Sequence, residues 1–414
     1  MMFLPLNLYI QNFFKATTLF QHPFEKLVQQ FNPNCLIADS FFPWANSTAQ
    51  KFQIPCFTFH GCSYFSQCIT SNLVQYKPYN NVMLDDEEFI VPDLPHNVKL
   101  TRSVLTPIEK QECPSWLAEL FNQVRESQKT CDGVIMNSFY ELEPDYADYY
   151  ENSLKMKHWH IGPLSLYLKE NNTNNASLKG KETSCIDVSE CMKWVEQKEA
   201  NSVIYVCFGS MASKSNTQLH ELALALECSG CNFILAVRKG NKEWMPHGFE
   251  SRIKEQGFII SGWAPQGLIL QHKSVGVFMT HCGWNSILEG VTAGLPMVTW
   301  PSHAEQFHNE KLITNVLKIG VPVGAKKWMT RLGGDDIDSE ALVNKEDIIK
   351  GIKVVMGSQE GQEMRERAKC LAEMAKRAVV EGGSSYSDVD NLIEQLNSVY
   401  GGVSSSGSHS SQST

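Results

Sequence analysis

Five apolar runs punctuate the second half of the chain: SVIYVCF (202–208), NFILAVR (232–238), FIIS (258–261), VGVFMT (275–280) and PMVTW (296–300). They are short and rich in β-branched or aromatic residues, the pattern of strands buried on both faces. A helix-period segment at 217–229 lies between two of them, and another, 305–317, follows the last. Apolar runs alternating with helices predict βαβ units and a parallel sheet. The first half is sparser. CLIADSF (35–41), PCFTFH (55–60) and GVIMNSF (133–139) read as strands of a second α/β sheet, preceded by a helix over 4–31. The Pro- and Asp-rich stretch 76–115 reads as loop with short helices, and 345–400 as helical. The polar, Asn- and Lys-rich residues 166–190 predict an interdomain linker. The expected organisation is therefore an N-terminal domain over 1–165, the linker, a C-terminal domain over 191–400, and a Gly/Ser-rich disordered tail over 401–414.

Composition narrows the classes. The chain has 414 residues, 43% hydrophobic and 20% charged, enough for large cores without disulfide staples. A net charge of −9 argues against a nucleic acid or an anionic membrane as the main partner, yet leaves room for a small phosphorylated ligand held by backbone N–H groups. The thirteen cysteines form no even framework, and Cys228 and Cys231 lack a second pair, so no metal site is expected. The cysteine usage indicates a reducing, cytoplasmic setting. No signal peptide or bilayer-spanning run is recognised, so no stable membrane insertion is expected.

The candidate chemistry lies where strands become helices. In VFMTHCGWNSILEGVTAGLP (277–296) a strand meets His281, Cys282, Gly283, Trp284, Asn285 and Ser286 before a helix. Asn285 or Ser286 is the expected N-cap, and Gly294 and Pro296 the stop. In a parallel α/β sheet such a corner faces the ligand crevice, and the helix N-terminus favours an anion. Gly283 would let the backbone approach it, with donors from His281, Asn285 and Ser286. Glu289, one turn on, either accepts hydrogen bonds from a ribose diol or complements the helix dipole. Three further corners converge. GWAPQ (262–266) offers Trp263 as a flat face for a base, or as core, with the Ala264 backbone beside it; FGSMA (208–212) offers Ser210; PSHAEQ (301–306) offers Glu305 and Gln306 for vicinal hydroxyls. Together they describe a nucleotide-sugar site.

The stretch from Trp263 to Gln306, with SVIYVCFGSMA, WHIGPLSL, CLIADSFFPWA and IPCFTFHG, resembles the plant secondary-product UDP-glycosyltransferases, closest to the branch acting on flavonoids and triterpenoids. The resemblance implies two facing Rossmann-like domains, the GT-B fold. It implies Trp263 and Ala264 on uracil, and Gln266 and Glu289 on the ribose. His281, Asn285, Ser286 and Ser210 would bind the diphosphate, and Trp284, Glu305 and Gln306 the sugar. Gln306 implies UDP-glucose, with UDP-glucuronate second. The implied partners are a UDP-sugar and a hydrophobic, hydroxylated acceptor, with no nucleic acid, no cofactor and no metal, and the chain is expected to be a monomer.

In that family a histidine takes the acceptor's proton and an aspartate orients it. Asp39 matches the aspartate, or else caps a turn. No residue matches the histidine: His22 lies in the helical stretch, and His60, with Ser63, is expected to line the acceptor pocket. The expectation is a first domain incomplete at its N-terminus, with a sticky sheet edge, and either an inverting glucosyltransferase or a catalytically impaired UDP-sugar binder. A UDP-sugar epimerase fits the Trp263–Gln306 box poorly, and the lack of GxGxxG excludes a dehydrogenase of the usual kind.

Overall fold

The computed structural model describes residues 4–170, 188–209, 214–240, 242–329 and 342–401. Residues 402–414 of the predicted tail and most of the predicted linker, 171–187, lie outside the described residues; Gly401, predicted to open the tail, instead ends a helix. Among those residues the strands, in chain order, are β1 (Leu36–Asp39), β2 (Cys56–His60), β3 (Glu88–Ile90), β4 (Lys99–Thr101), β5 (Gly133–Met136), β6 (His158–His160), β7 (Val203–Cys207), β8 (Asn232–Val237), β9 (Gly257–Ser261), β10 (Val275–Thr280), β11 (Met297–Thr299) and β12 (Gly320–Pro322).

The chain forms two compact units, the first made of residues up to Cys62, Gln111–Leu164 and the residues from Arg377 onward, the second of Ser63–Lys110 and Ser165–Lys376. This differs from a simple division near residue 165. In the first unit, β1-β2-β5-β6 form a parallel sheet. The C-terminal helix Ser384–Gly401 joins it because Leu392 packs with Phe57, Ile135 and Trp159, Asp388 accepts from the backbone N–H of His160 at 2.8 Å, and Ser385 Oγ donates to the Gly162 carbonyl at 2.6 Å. The predicted helix over 4–31 is two helices, Leu4–Thr18 and Gln21–Phe31. Pro23 has no N–H to donate to Leu19, and its ring would crowd that carbonyl, so one continuous helix is broken there.

In the second unit, β12-β11-β10-β7-β8-β9 form a six-stranded parallel sheet. All five apolar runs of the second half are strands of it. β10 lies between β7 and β11 and every residue in it is buried, which is why it reads as an unbroken apolar run. Ile204, Val206, Leu235, Val277, Met279 and Val298 share one core with the helices Asn216–Ser229 and Lys345–Gly357. The sequence pattern did not reveal β6 and β12, which have three residues each; Pro322 is tolerated because β12 is an edge strand. The stretch 76–115 holds 3₁₀ turns as expected, and also the antiparallel pair β3–β4. Its residues up to Lys110 belong to the second unit, where buried Glu109 lies 3.4 Å from His308; just upstream, Ser63 Oγ donates to Asn309 Oδ1 at 2.9 Å.

Candidate functional site

Thr280, Cys207 and Thr299 are in register, so β10, β7 and β11 end in step and their following turns share one rim. The β10 turn is unusual. Cys282 is a non-glycine residue at φ 65°, held because its N–H donates to Thr280 Oγ1 at 3.3 Å and its carbonyl accepts from Asn309 Nδ2 at 3.0 Å. Two glycines make room for His281. A methyl group on Gly209 would lie 2.8 Å from its imidazole Nε2, and one on Gly283 would lie 2.6 Å from the same atom. Gly283 has an ordinary φ of −64°, so the sequence needs glycine here for the imidazole and not for backbone freedom. Burial first, then His303 and Lys214, push the His281 pKa down to about 3. The ring is neutral at physiological pH, and its Nδ1 is buried with no protein partner. A neutral imidazole with an unsatisfied ring nitrogen is poised for a polar ligand.

The helix after this turn is Trp284–Thr292, capped by Gly283 with no side-chain bond, so neither Asn285 nor Ser286 is the cap expected from sequence. Its end is as expected: Gly294 at φ 70° lets the Leu295 N–H return to the Gly290 carbonyl at 3.1 Å. Gln266, first residue of the helix Gln266–Leu270, donates from Nε2 to Glu289 Oε2 at 2.8 Å and to Ser286 Oγ at 3.2 Å. Three residues drawn from two separate corners thus form one polar cluster, with the Glu289 carboxylate aimed by the amide of Gln266. Trp263 is 57% exposed, which excludes the core reading of that indole. Gly262, before it, has φ 115°.

The third corner carries the sugar candidates. Gln306 is buried; its Oε1 accepts from the backbone N–H groups of Ser302 and His303 at 2.9 and 3.1 Å, so it shapes the 302–303 loop from behind. Burial raises the pKa of Glu305, whose carboxylate also accepts from Asn309 Nδ2 at 3.4 Å. Trp284, expected to hold the sugar, is 2% exposed and its indole is part of the core. Ser210 lies outside the described residues, while Ala264 and Asn285 sit beside Gln266 and Ser286 as the sequence order dictates. Sequence reasoning missed Asn309, which ties the Cys282 carbonyl, Glu305 and Ser63 together. The available signal was its spacing, one helical turn after Glu305.

In the first unit, Asp39 ends β1 and is exposed, and its Oδ1 accepts from the Phe41 N–H at 2.9 Å, the turn-capping reading of that residue. His60, at the end of neighbouring β2, is buried; burial pushes its pKa down to about 4, against the pull of the Asp39 carboxylate. Ser63 does not present a free hydroxyl to a pocket: it is wholly buried, caps the helix Tyr64–Tyr76 and bonds Asn309. Among the described residues no three His, Cys, Asp or Glu side chains are grouped to share a metal ion, and no helix is long and apolar enough to cross a membrane.

The family model described as UDP-glucoronosyl and UDP-glucosyl transferase matches residues 167–330. A scopoletin glucosyltransferase of Nicotiana tabacum is 48% identical over 95% of this chain and 81% of its own length. An anthocyanin 3'-O-beta-glucosyltransferase of Gentiana triflora is 47% identical over 94% and 81%. A solved Glycyrrhiza uralensis glycosyltransferase, complexed with glycyrrhetinic acid 3-O-monoglucuronide, superposes with a TM-score of 0.85 at 37% identity, covering 96% of this chain and 79% of that one. The expectation of a domain shortened at its start finds no support in these comparisons. The shared α/β architecture, the rim of strand-to-helix corners and the extent of these matches establish that the chain belongs to the plant secondary-product UDP-glycosyltransferases, enzymes of the GT-B fold.

Proposed function

We propose that the chain transfers glucose from UDP-glucose to a hydroxyl of an aromatic or terpenoid aglycone, with inversion at the anomeric carbon. The observation that carries the donor half is the Gln266–Ser286–Glu289 cluster together with the neutral His281, whose buried Nδ1 has no protein partner. Trp263 stacks on uracil, and Glu289, aimed by Gln266, accepts from the ribose hydroxyls. The helix N-terminus at Trp284, with His281, Asn285, Ser286 and Ser210, meets the diphosphate. No metal is needed for that charge in this reading, and EDTA is expected to leave the rate unchanged. Glu305 and the loop shaped by Gln306 hold the sugar, glucose before glucuronate.

The acceptor class follows the relatives, whose names specify scopoletin, anthocyanin and flavonoid substrates. His60, which ends β2, lines the acceptor pocket with Ser63 in this reading, and Asp39 orients the group that takes the acceptor's proton. A second reading, nucleotide-sugar binding with weak turnover, is favoured by one observation: the Asp39 carboxylate caps its own turn and bonds no imidazole. Calorimetry with UDP-glucose, run beside product analysis on a coumarin, a flavonol and a triterpenoid, separates the two. Glucoside formation supports transfer, and binding without product supports the second reading. Glu289→Ala must weaken nucleotide uptake; equal affinity overturns the donor assignment.

A further inference from the structure

Lys214 is absent from the roles above, although it stands on the same rim. Its ammonium donates to Ser302 Oγ at 2.6 Å, on the loop that Gln306 shapes. It also lies 4.4 Å from the centre of the Trp300 ring and 5.1 Å from that of Phe208, residues that directly follow β11 and β7. The aromatic faces favour the charge, while the hydroxyl fixes where it sits. Cys282, Glu310 and His281 face it from the other elements packed there. Cys282 and His281 are neutral at physiological pH, burial pushing the thiol up and the imidazole down. Burial raises the Glu310 carboxyl to about 7 while Thr299 Oγ1 donates to it at 2.7 Å.

The charges of the proposed donor site are otherwise of one sign. Glu289 and Glu305 are carboxylates on a rim that must receive a dianionic diphosphate. The helix N-terminus contributes only about half an elementary charge. Resting on the proposed donor reading, we propose that Lys214 is a donor-binding residue that supplies a positive charge to an anionic group of the nucleotide-sugar, reached across Ser302. Burial among the rings lowers the Lys214 pKa to about 7, so an appreciable share of the empty protein carries the neutral amine near neutral pH. An anion placed beside it favours the ammonium, so binding takes up protons.

The test is calorimetry of the full chain at pH 7 with UDP, UDP-glucose and UDP-glucuronate, each in two buffers of different ionisation enthalpy. The parent is expected to take up a fraction of a proton on binding. Lys214→Met weakens binding by about tenfold, the scale of losing one charge-assisted bond, and abolishes the uptake. Loss with all three ligands assigns the cation to the diphosphate; loss confined to UDP-glucuronate assigns it to a sugar carboxylate. Lys214→Arg, always ionised, keeps the affinity and loses the uptake, and it serves if the Met variant does not fold. Unchanged affinity in the Met variant, or unchanged uptake in the Arg variant, overturns the proposal. A parent that binds none of the three ligands overturns the donor reading instead.

Discussion

The corner after β10 and the corner after β1 occupy equivalent places, each at the carboxyl end of a parallel strand, and they are built differently. The β10 corner is supported from behind. Asn309 holds the Cys282 carbonyl, Gln266 holds Glu289, and two glycines fit around His281. The β1 corner is open. Asp39 is exposed on an edge strand and bonds only its own turn, while His60 beside it is buried with Nδ1 unsatisfied. The lesson is that the proposed donor half is held by contacts within its own unit, the kind of support that preorganises a site. The group that would move the acceptor's proton has no comparable support around it.

The comparison breaks most sharply at Asp39. If it orients a base, Asp39→Asn lowers kcat by about 10²–10⁴-fold and leaves UDP affinity unchanged. Steady-state kinetics beside nucleotide titration checks this, and an unchanged kcat would make Asp39 a turn residue only. On the preorganised side, His281→Ala is expected to lower kcat/KM by about 10²–10³-fold, the scale of removing one donor from developing charge. Gly283→Ala sharpens the same point, since its added methyl group displaces the imidazole without deleting it. A variant as active as the parent would show that the imidazole position is unimportant.

A third test concerns stability and His60. Its folded pKa of about 4 lies below the ordinary value near 6.5. The unfolded chain therefore binds the extra proton first as the pH falls. Stability is full above pH 6.5, declines as the pH falls toward 4, and gains no further loss from this group below that. The total is on the order of 3 kcal/mol, and His60→Leu should flatten that part of the acid limb in denaturant titrations. A parallel decline in both proteins would assign the acid sensitivity elsewhere. The smallest effect is expected from Gln266→Leu, which leaves the Glu289 carboxylate in place but unaimed. Donor affinity should drop by roughly tenfold, read by calorimetry. No change would mean that the helix alone positions Glu289.

The sequence by itself determined two α/β sheets, the five apolar strands of the second and the polar corners that follow them, because buried parallel strands and strand-to-helix turns leave local signatures in residue type. It also determined the family, through the run from Trp263 to Gln306. Tertiary structure decided what local pattern cannot encode. Trp263 is outside and Trp284 inside, though both are tryptophans at strand-to-helix corners, because one lies in the turn before its helix and the other is the first residue of a helix that packs on β10. Gly283 serves a side chain two residues away, Ser63 joins Asn309 across 246 positions, and the C-terminal helix returns to the first unit. Lys214 looks like any loop lysine until Trp300, Phe208 and Ser302 close around it. Such pairings depend on distances between elements remote in sequence, and packing alone fixes them.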